Sequence, residues 1–184
     1  NLPVAQMAIE FAFKNTPPEE KIDIGFFGGE PLLEFELIKD ITEMIENHPS
    51  FDMERVELTV VTNGTVFSNQ IADFLNLHDI GFCVSYDGLP DVHDMFRKFP
   101  DGTGSSSIVK RTIKRALETL SSVLVNTVYH PNTFQHLPQA VKYLSSLGLR
   151  QIYLNPDFSA PWSKKEADLL PEVFHESGQR AAGT

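Results

Sequence analysis

Hydrophobic positions along the chain follow two spacings, one typical of helices and the other of buried strands. Apolar residues recur every three or four positions within six segments, which predicts helices at 3–15, 37–45, 71–75, 107–120, 134–146 and 164–176. Short continuous apolar runs lie between them and predict strands at 22–27, 56–61, 80–85, 123–129 and 152–154. The predicted order is a helix followed by five strand–helix units.

This alternation indicates an α/β fold with parallel strands and right-handed helical crossovers. A flat doubly wound sheet and a curved (β/α) barrel both fit it, and in either fold ligands bind where strands end. The first helix has no strand before it, so we expect one strand to be missing upstream. Residues 89–107 are rich in Pro, Gly, Asp and Ser, which predicts a long functional loop.

Composition narrows the class of protein. The 184 residues carry a net charge of −10 and are 41% hydrophobic, which fits one globular domain over 1–184. The acidic balance argues against a nucleic acid or an anionic membrane surface as partner. Cys83 is the single cysteine, so the chain alone can form no internal disulfide and no metal site built from cysteines. No apolar run approaches the ~20 residues of a membrane helix, and we expect a cytoplasmic protein.

Two polar clusters follow the first two predicted strands. Phe-Phe-Gly-Gly-Glu-Pro at 26–31 lets a ligand approach the backbone of Gly28 and Gly29, while Glu30 suits an ammonium group. An ordinary strand–helix turn is the alternative. Thr-Asn-Gly-Thr at 62–65 has the residues of a left-handed turn, and Thr65 or Ser68 can cap the next helix.

A third cluster, Ser-Tyr-Asp-Gly at 85–88, follows the third strand and precedes Arg97. The Ser85 hydroxyl can point into a site, and the forked donor of Arg97 matches a carboxylate. A turn for Asp87 and Gly88, and a solvated surface position for Arg97, are the alternatives. Cys83 has the strand parity of Ser85 and can line a barrel interior, but a small buried side chain is its expected role. The histidines show no ligand spacing, so no catalytic or metal-binding residue is predicted.

The order of these three clusters closely resembles the radical S-adenosylmethionine (SAM) superfamily. The resemblance is nearest to the peptide- and protein-modifying branch with SPASM-type C-terminal extensions, which includes anaerobic sulfatase maturases and thioether-forming peptide maturases. It covers essentially the whole chain and is most specific at 24–33 and 85–97. It implies a partial (β/α)6 TIM-like barrel that lacks its first strand.

The resemblance also implies roles for the polar residues at the strand ends. Gly28, Gly29 and Glu30 match the Gly-Gly-Glu motif that holds the amino group of SAM, and Ser85 and Arg97 match residues that bind its carboxylate. The sequence thus offers an acceptor for the cationic end of the ligand and a fixed cation for its anionic end. We expect the strand tips to converge on this one ligand.

The remaining cofactor-binding candidates are less closely defined. Thr62 and Asn63 match a motif that lines the same cavity, and Asp87 belongs to the third cluster. Leu154 and Asn155 stand at the end of the last predicted strand, where the resemblance places the adenosine.

The chain departs from the family at the iron–sulfur cluster. Family members bind a 4Fe–4S cluster through Cys-x3-Cys-x2-Cys after the first barrel strand, a loop that would precede the helix at 3–15. We therefore expect a fragment of a longer enzyme, without the cluster loop and without the C-terminal extension. The parent would cleave SAM reductively to a 5′-deoxyadenosyl radical and modify a peptide or protein containing Cys or Ser. A flavodoxin or ferredoxin would donate the electron. We expect the chain alone to bind SAM weakly at best and not to cleave it.

Two other functions remain open. A different (β/α) barrel, such as an aldolase or a phosphate-binding isomerase, needs a Schiff-base Lys or a Gly-rich phosphate loop near the late strands, and neither is apparent. A non-catalytic scaffold or peptide-binding barrel that has lost its cluster would keep the same fold. The missing first strand would expose the edge of the strand at 22–27, which predicts either self-association through that edge or a disordered amino terminus.

Overall fold

The computed structural model describes residues 1–182, with side chains up to residue 179. Its helices are α1 Leu2–Asn15, α2 Phe35–Glu46, α3 Asn69–Leu77, α4 Pro90–Phe96, α5 Ser106–Thr119, α6 Leu137–Ser146 and α7 Lys164–Ala182. Its strands are β1 Ile22–Phe26, β2 Val56–Thr62, β3 Ile80–Ser85, β4 Val123–Tyr129 and β5 Gln151–Pro156. Short 3-10 turns at Pro31–Glu34 and Phe134–His136 lead into α2 and α6.

The strands form one sheet in the order β1-β2-β3-β4-β5, the same as their order along the chain. β1 pairs in parallel with β2, with Ile22 opposite Val56, and β4 pairs in parallel with β5, with Leu124 opposite Gln151. Parallel neighbours joined by helices are what repeated strand–helix units produce. The α/β prediction is confirmed.

The first of two compact units contains Asn1–Thr62, Val66–Cys83 and Leu120–Ser122. Its core is apolar, with Ile45, Val60 and Phe82 fully buried. Arg55, just before β2, joins the end of α1 to the sheet. The Arg55 Nη2 donates to the carbonyl oxygens of Thr16 and Pro17, and its Nε donates to that of Glu20. Arg55 thus fixes the connection between α1 and β1 by satisfying backbone carbonyl groups that follow the helix.

The second unit contains Asn63–Thr65, Val84–Thr119 and Val123–Thr184. Its fully buried residues include Tyr86, Val109 and Val125. A further buried cluster, formed by Tyr129, Phe134 and Leu137, packs against apolar side chains of α7 and against Trp162. Although α7 is 19 residues long, neither it nor another helix within residues 1–182 combines the length and hydropathy needed to cross a bilayer.

The loop predicted over 89–107 is wrong in part, because α4 occupies Pro90–Phe96. Pro90 stands in the first turn of α4, where its missing N–H has no helical partner to lose, and Asp91 adds an acidic side chain there. Val92 and His93 are buried. The Pro and Asp residues that suggest a loop in the sequence are helix-start residues in the structure. The irregular segment is therefore only the stretch between α4 and α5.

The first unit has an exposed apolar helix face and a strand at the end of the sheet. Val4, Met7 and Phe11 lie on one face of α1 at helical spacing, and each is at least 62% exposed. Within the described residues, β1 is at the end of the sheet and pairs with β2 alone.

The turn after β3 generates a prediction about packing. Gly88 and Gly102 have nearly the same φ, +87° and +86°, but a Cβ at Gly88 would lie 2.4 Å from the Ala140 Cβ whereas one at Gly102 would meet no atom within 4 Å. Both Ala substitutions carry the left-handed strain, and only Gly88→Ala adds overlap with α6. We expect Gly88→Ala to lower the free energy of unfolding by about 1–3 kcal/mol more than Gly102→Ala in urea titrations. Equal losses would contradict the close packing of α6 on this turn.

Candidate functional site

Glu30 follows β1 and is held in place by two hydrogen bonds. Its Oε1 accepts from the backbone N–H of Leu32 at 3.1 Å and from the Thr62 hydroxyl at 2.7 Å. The first bond caps the 3-10 turn that Pro31 begins, and Thr62 is buried at the end of β2. Glu30 itself is only half-buried. A carboxylate with a fixed position and access to solvent is suited to binding a cation.

The two glycines before Glu30 leave open space beside it. A Cβ on Gly28 or Gly29 would meet no atom within 4 Å, and both residues are exposed. Protein packing therefore does not require glycine at either position. The backbone of both residues is therefore open to solvent.

The second motif contains a turn that its own side chains stabilise. Asn63 Oδ1 accepts from the Thr65 N–H at 2.9 Å and from the Thr65 hydroxyl at 2.6 Å. Gly64 is tightly enclosed, since a Cβ there would lie 2.9 Å from both Val84 and Val109. Ser68 caps α3 by accepting from the Ile71 N–H, which confirms one of the two predicted caps. The Asn63 oxygen is thus engaged in the turn.

The third motif contains a buried ion pair. The Asp87 side chain is 4% exposed and accepts from Arg97 Nε at 2.6 Å and from Arg97 Nη2 at 3.1 Å. It also accepts from the Val128 N–H at 3.0 Å. The Arg97 side chain is 30% exposed, so it is not a solvated surface arginine. Neither bond to Asp87 uses Nη1.

Sequence reasoning missed the role of His93, which is 0% exposed. Its Nδ1 accepts from the Asp87 N–H at 3.2 Å, so the ring proton is on Nε2, which lies 2.9 Å from the Ser105 hydroxyl. That hydroxyl donates to the Arg97 carbonyl oxygen at 2.9 Å. Burial, with a smaller effect of Arg97, lowers the pKa of His93 to about 4. The imidazole is therefore neutral and links the backbones of Asp87 and Arg97.

The remaining candidates have different surroundings. Ser85 is half-buried at the end of β3. Leu154 packs against the cluster formed by Tyr129, Phe134 and Leu137, whereas Asn155 is exposed and donates to Asn126 Oδ1 at 2.6 Å. Adjacent strand residues point to opposite faces, so the two cannot line one surface together. Cys83 is buried, and burial raises the pKa of its thiol, as expected of a structural cysteine.

The side chains of this chain do not fit an iron–sulfur cluster. Such a cluster needs several thiolates, and the sequence has only Cys83. In the part of the chain that the structure describes, no three His, Cys, Asp or Glu side chains are grouped to hold a metal ion.

Comparisons with known proteins identify relatives of the chain. Residues 8–144 match the family model of the radical SAM superfamily. The radical SAM cyclopropyl synthase TigE of Paramaledivibacter caminithermalis is 29% identical over 76% of this chain and 29% of its own length. A cysteine-type anaerobic sulfatase-maturating enzyme of Clostridium novyi is 23% identical over 75% of this chain and 37% of its own length. The chain thus spans about a third of these two relatives.

Solved structures confirm the fold class. A structure of native anSMEcpe with bound AdoMet superposes with a TM-score of 0.79 at 19% identity, covering 95% of this chain and 50% of that one. A structure of the same protein with AdoMet and the Kp18Cys peptide has the same TM-score. The predicted partial TIM-like barrel of the radical SAM type is confirmed.

The buried His93 generates a prediction about acid stability. Its pKa of about 4 lies below the ordinary 6.5, so the unfolded chain binds more protons between these values. The neutral His93 therefore contributes fully to the free energy of unfolding above about pH 6.5, and this contribution is lost as the pH falls towards 4. We expect urea titrations from pH 7.5 to 4.5 to show a loss on the order of 2 kcal/mol in wild type that is absent from His93→Gln. The exposed His136→Gln should keep the wild-type slope, and a His93→Gln slope equal to wild type would contradict the assignment.

Proposed function

The chain belongs to the radical SAM superfamily, and we propose that it binds S-adenosylmethionine through the residues at its strand ends. The observation that carries the proposal is the position of Glu30, whose carboxylate is fixed by Leu32 and Thr62 beside the open backbone of Gly28 and Gly29. The ammonium group of SAM donates to this carboxylate, and charge-assisted bonds of this kind are the strong ones. Thr62 acts by orienting Glu30.

Arg97 and Ser85 bind the carboxylate of SAM in this proposal. Arg97 supports it because its guanidinium is partly accessible and keeps Nη1 out of the pair with Asp87. The Ser85 hydroxyl is half-buried at the end of β3 and adds a neutral donor. Recognition of both charged ends separates SAM from nucleosides that lack the amino acid.

The adenosine would lie nearer to Asn155 than to Leu154. Asn155 is exposed and keeps its amide oxygen outside the bond that its Nδ2 makes to Asn126. Leu154 contributes to the core behind the strand. Asn63 contributes to this site by shaping the turn after β2, where its amide oxygen accepts from the N–H and the hydroxyl of Thr65.

A longer protein containing this chain would carry out the whole reaction. We propose reductive cleavage of SAM to a 5′-deoxyadenosyl radical, followed by modification of a peptide or protein in the cytoplasm. The cluster thiolates, and any SPASM-type extension, would come from outside these residues, and a flavodoxin or ferredoxin would supply the electron. This proposal is supported by the similarity of the chain to a cyclopropyl synthase and a sulfatase-maturating enzyme.

A single domain over 1–184 is also part of this proposal. The family match does not favour the alternative of a non-catalytic barrel.

Glu30→Gln tests the amino-group assignment. The substitution keeps the shape of the side chain and removes its charge, so we expect the dissociation constant for SAM to rise about tenfold or more in ligand-observed NMR titrations. Glu34→Gln, at an exposed position four residues on, should leave it unchanged. If the Glu30→Gln variant binds SAM as tightly as wild type, Glu30 does not bind the amino group of SAM.

Self-association through β1 is a second expected property. The Ile22 N–H donates to the carbonyl oxygen of Arg55, just before β2. Because the backbone groups of successive strand residues point to opposite sides, those of Asp23 and Gly25 point away from β2. We expect light scattering after size exclusion to show a dimer or larger species in wild type. Gly25→Pro removes an outward N–H and should shift the population towards monomer. A wild type that is monomeric at every concentration would contradict this expectation.

A further inference from the structure

Two neighbouring side chains of α4 bind the end of the segment between α4 and α5, residues 97–105, and the first residue of α5. His93 binds the Ser105 hydroxyl, and Asp94 accepts from the Ser106 N–H at 2.8 Å and the Ser106 hydroxyl at 2.7 Å. The two ends of the segment also pair with each other, since the Ser105 N–H donates to the Arg97 carbonyl oxygen. A backbone hydrogen bond therefore joins the first and last residues of the segment.

Gly104 shows how tightly this closure is packed. A Cβ at Gly104 would lie 2.1 Å from the Asp94 Cγ, so the backbone runs directly over the Asp94 carboxylate. Lys98 and Gly104 form an antiparallel bridge inside the segment. Ser105 and Ser106 are both buried. These contacts fix the backbone of residues 97–106 in one conformation.

Arg97 begins this segment and is held at three atoms. Its N–H donates to the His93 carbonyl oxygen at 2.9 Å, its carbonyl oxygen accepts from Ser105, and its guanidinium is paired with Asp87. The His93 ring binds the Asp87 N–H as well as Ser105. One imidazole thus connects both partners of the ion pair.

We propose that His93 and Ser105 are positioning residues that hold the Arg97 guanidinium so that its Nη1 edge is preset for a ligand carboxylate. The identity of that ligand as SAM rests on the proposed function above. The pair of Asp87 and Arg97 is neutral overall, so Arg97 recognises the carboxylate through directed N–H groups more than through net charge. The Arg97 side chain loses its conformational entropy when the protein folds. Ligand binding therefore does not have to order it again.

The first experiment compares two ligands that differ by one group. SAM and decarboxylated SAM share the adenosine, sulfonium and amino groups, and only SAM has the carboxylate. We expect wild type to bind SAM about tenfold more tightly. His93→Gln and Ser105→Ala should reduce this ratio towards one, while affinity for decarboxylated SAM stays within about twofold. The exposed His136→Gln and Ser121→Ala are controls that should keep the wild-type ratio. Variants that weaken both ligands equally would show a merely structural role and overturn the proposal.

The second experiment needs no ligand. In wild type the Arg97 Nε–H, bonded to Asp87, should exchange slowly with solvent in nitrogen-15 NMR. Ser105→Ala should accelerate this exchange by about tenfold. The Arg55 Nε–H, which donates to the backbone carbonyl oxygen of Glu20, is an internal control whose exchange should not change. Unchanged Arg97 exchange would overturn the positioning role. If wild type binds neither ligand, the proposed function fails, and the exchange rates still decide whether His93 and Ser105 fix Arg97.

Discussion

Burial of the Asp87 carboxylate is the constraint on which the arrangement of the second unit depends. An ionised group that is 4% exposed must be paired and fully hydrogen-bonded, or its desolvation destabilises the fold. Arg97 and the Val128 N–H meet this requirement. Arg97 directly follows α4, so α4 must run in the direction that returns the guanidinium to the end of β3. The neutral His93 stabilises the same geometry from the backbone side.

The motifs contain supporting residues as well as residues that can contact a ligand. Thr62 belongs to the second motif along the chain, but its hydroxyl orients the carboxylate of Glu30 in the first. Asp87 and Arg97 likewise lie ten residues apart in the sequence and form one structural group. Each accessible charged group is thus held by a buried polar one. Pre-organisation of this kind reduces the ordering that binding requires.

A spacing of three or four residues between apolar positions predicted most of the helices, and short continuous apolar runs predicted the strands. It failed at α4, where Pro90 at a helix start has the same local signature as a turn. The side-chain pairs were harder to predict, since His93 and Ser105 meet only when α4 and the following segment fold back. The dipeptide His-Asp at 93–94 and the Ser-Ser at 105–106 were the available signals, but no spacing rule joins them. The opposite orientations of Leu154 and Asn155 could have been predicted from strand alternation alone.

The central claim is that the chain recognises the amino-acid end of SAM. The most direct test compares the dissociation constants of SAM and 5′-methylthioadenosine, which has the nucleoside and sulfur but neither the ammonium nor the carboxylate. The account predicts that SAM binds at least about tenfold more tightly, because Glu30 and Arg97 each bind a group that methylthioadenosine lacks. Equal dissociation constants for the two compounds would contradict it.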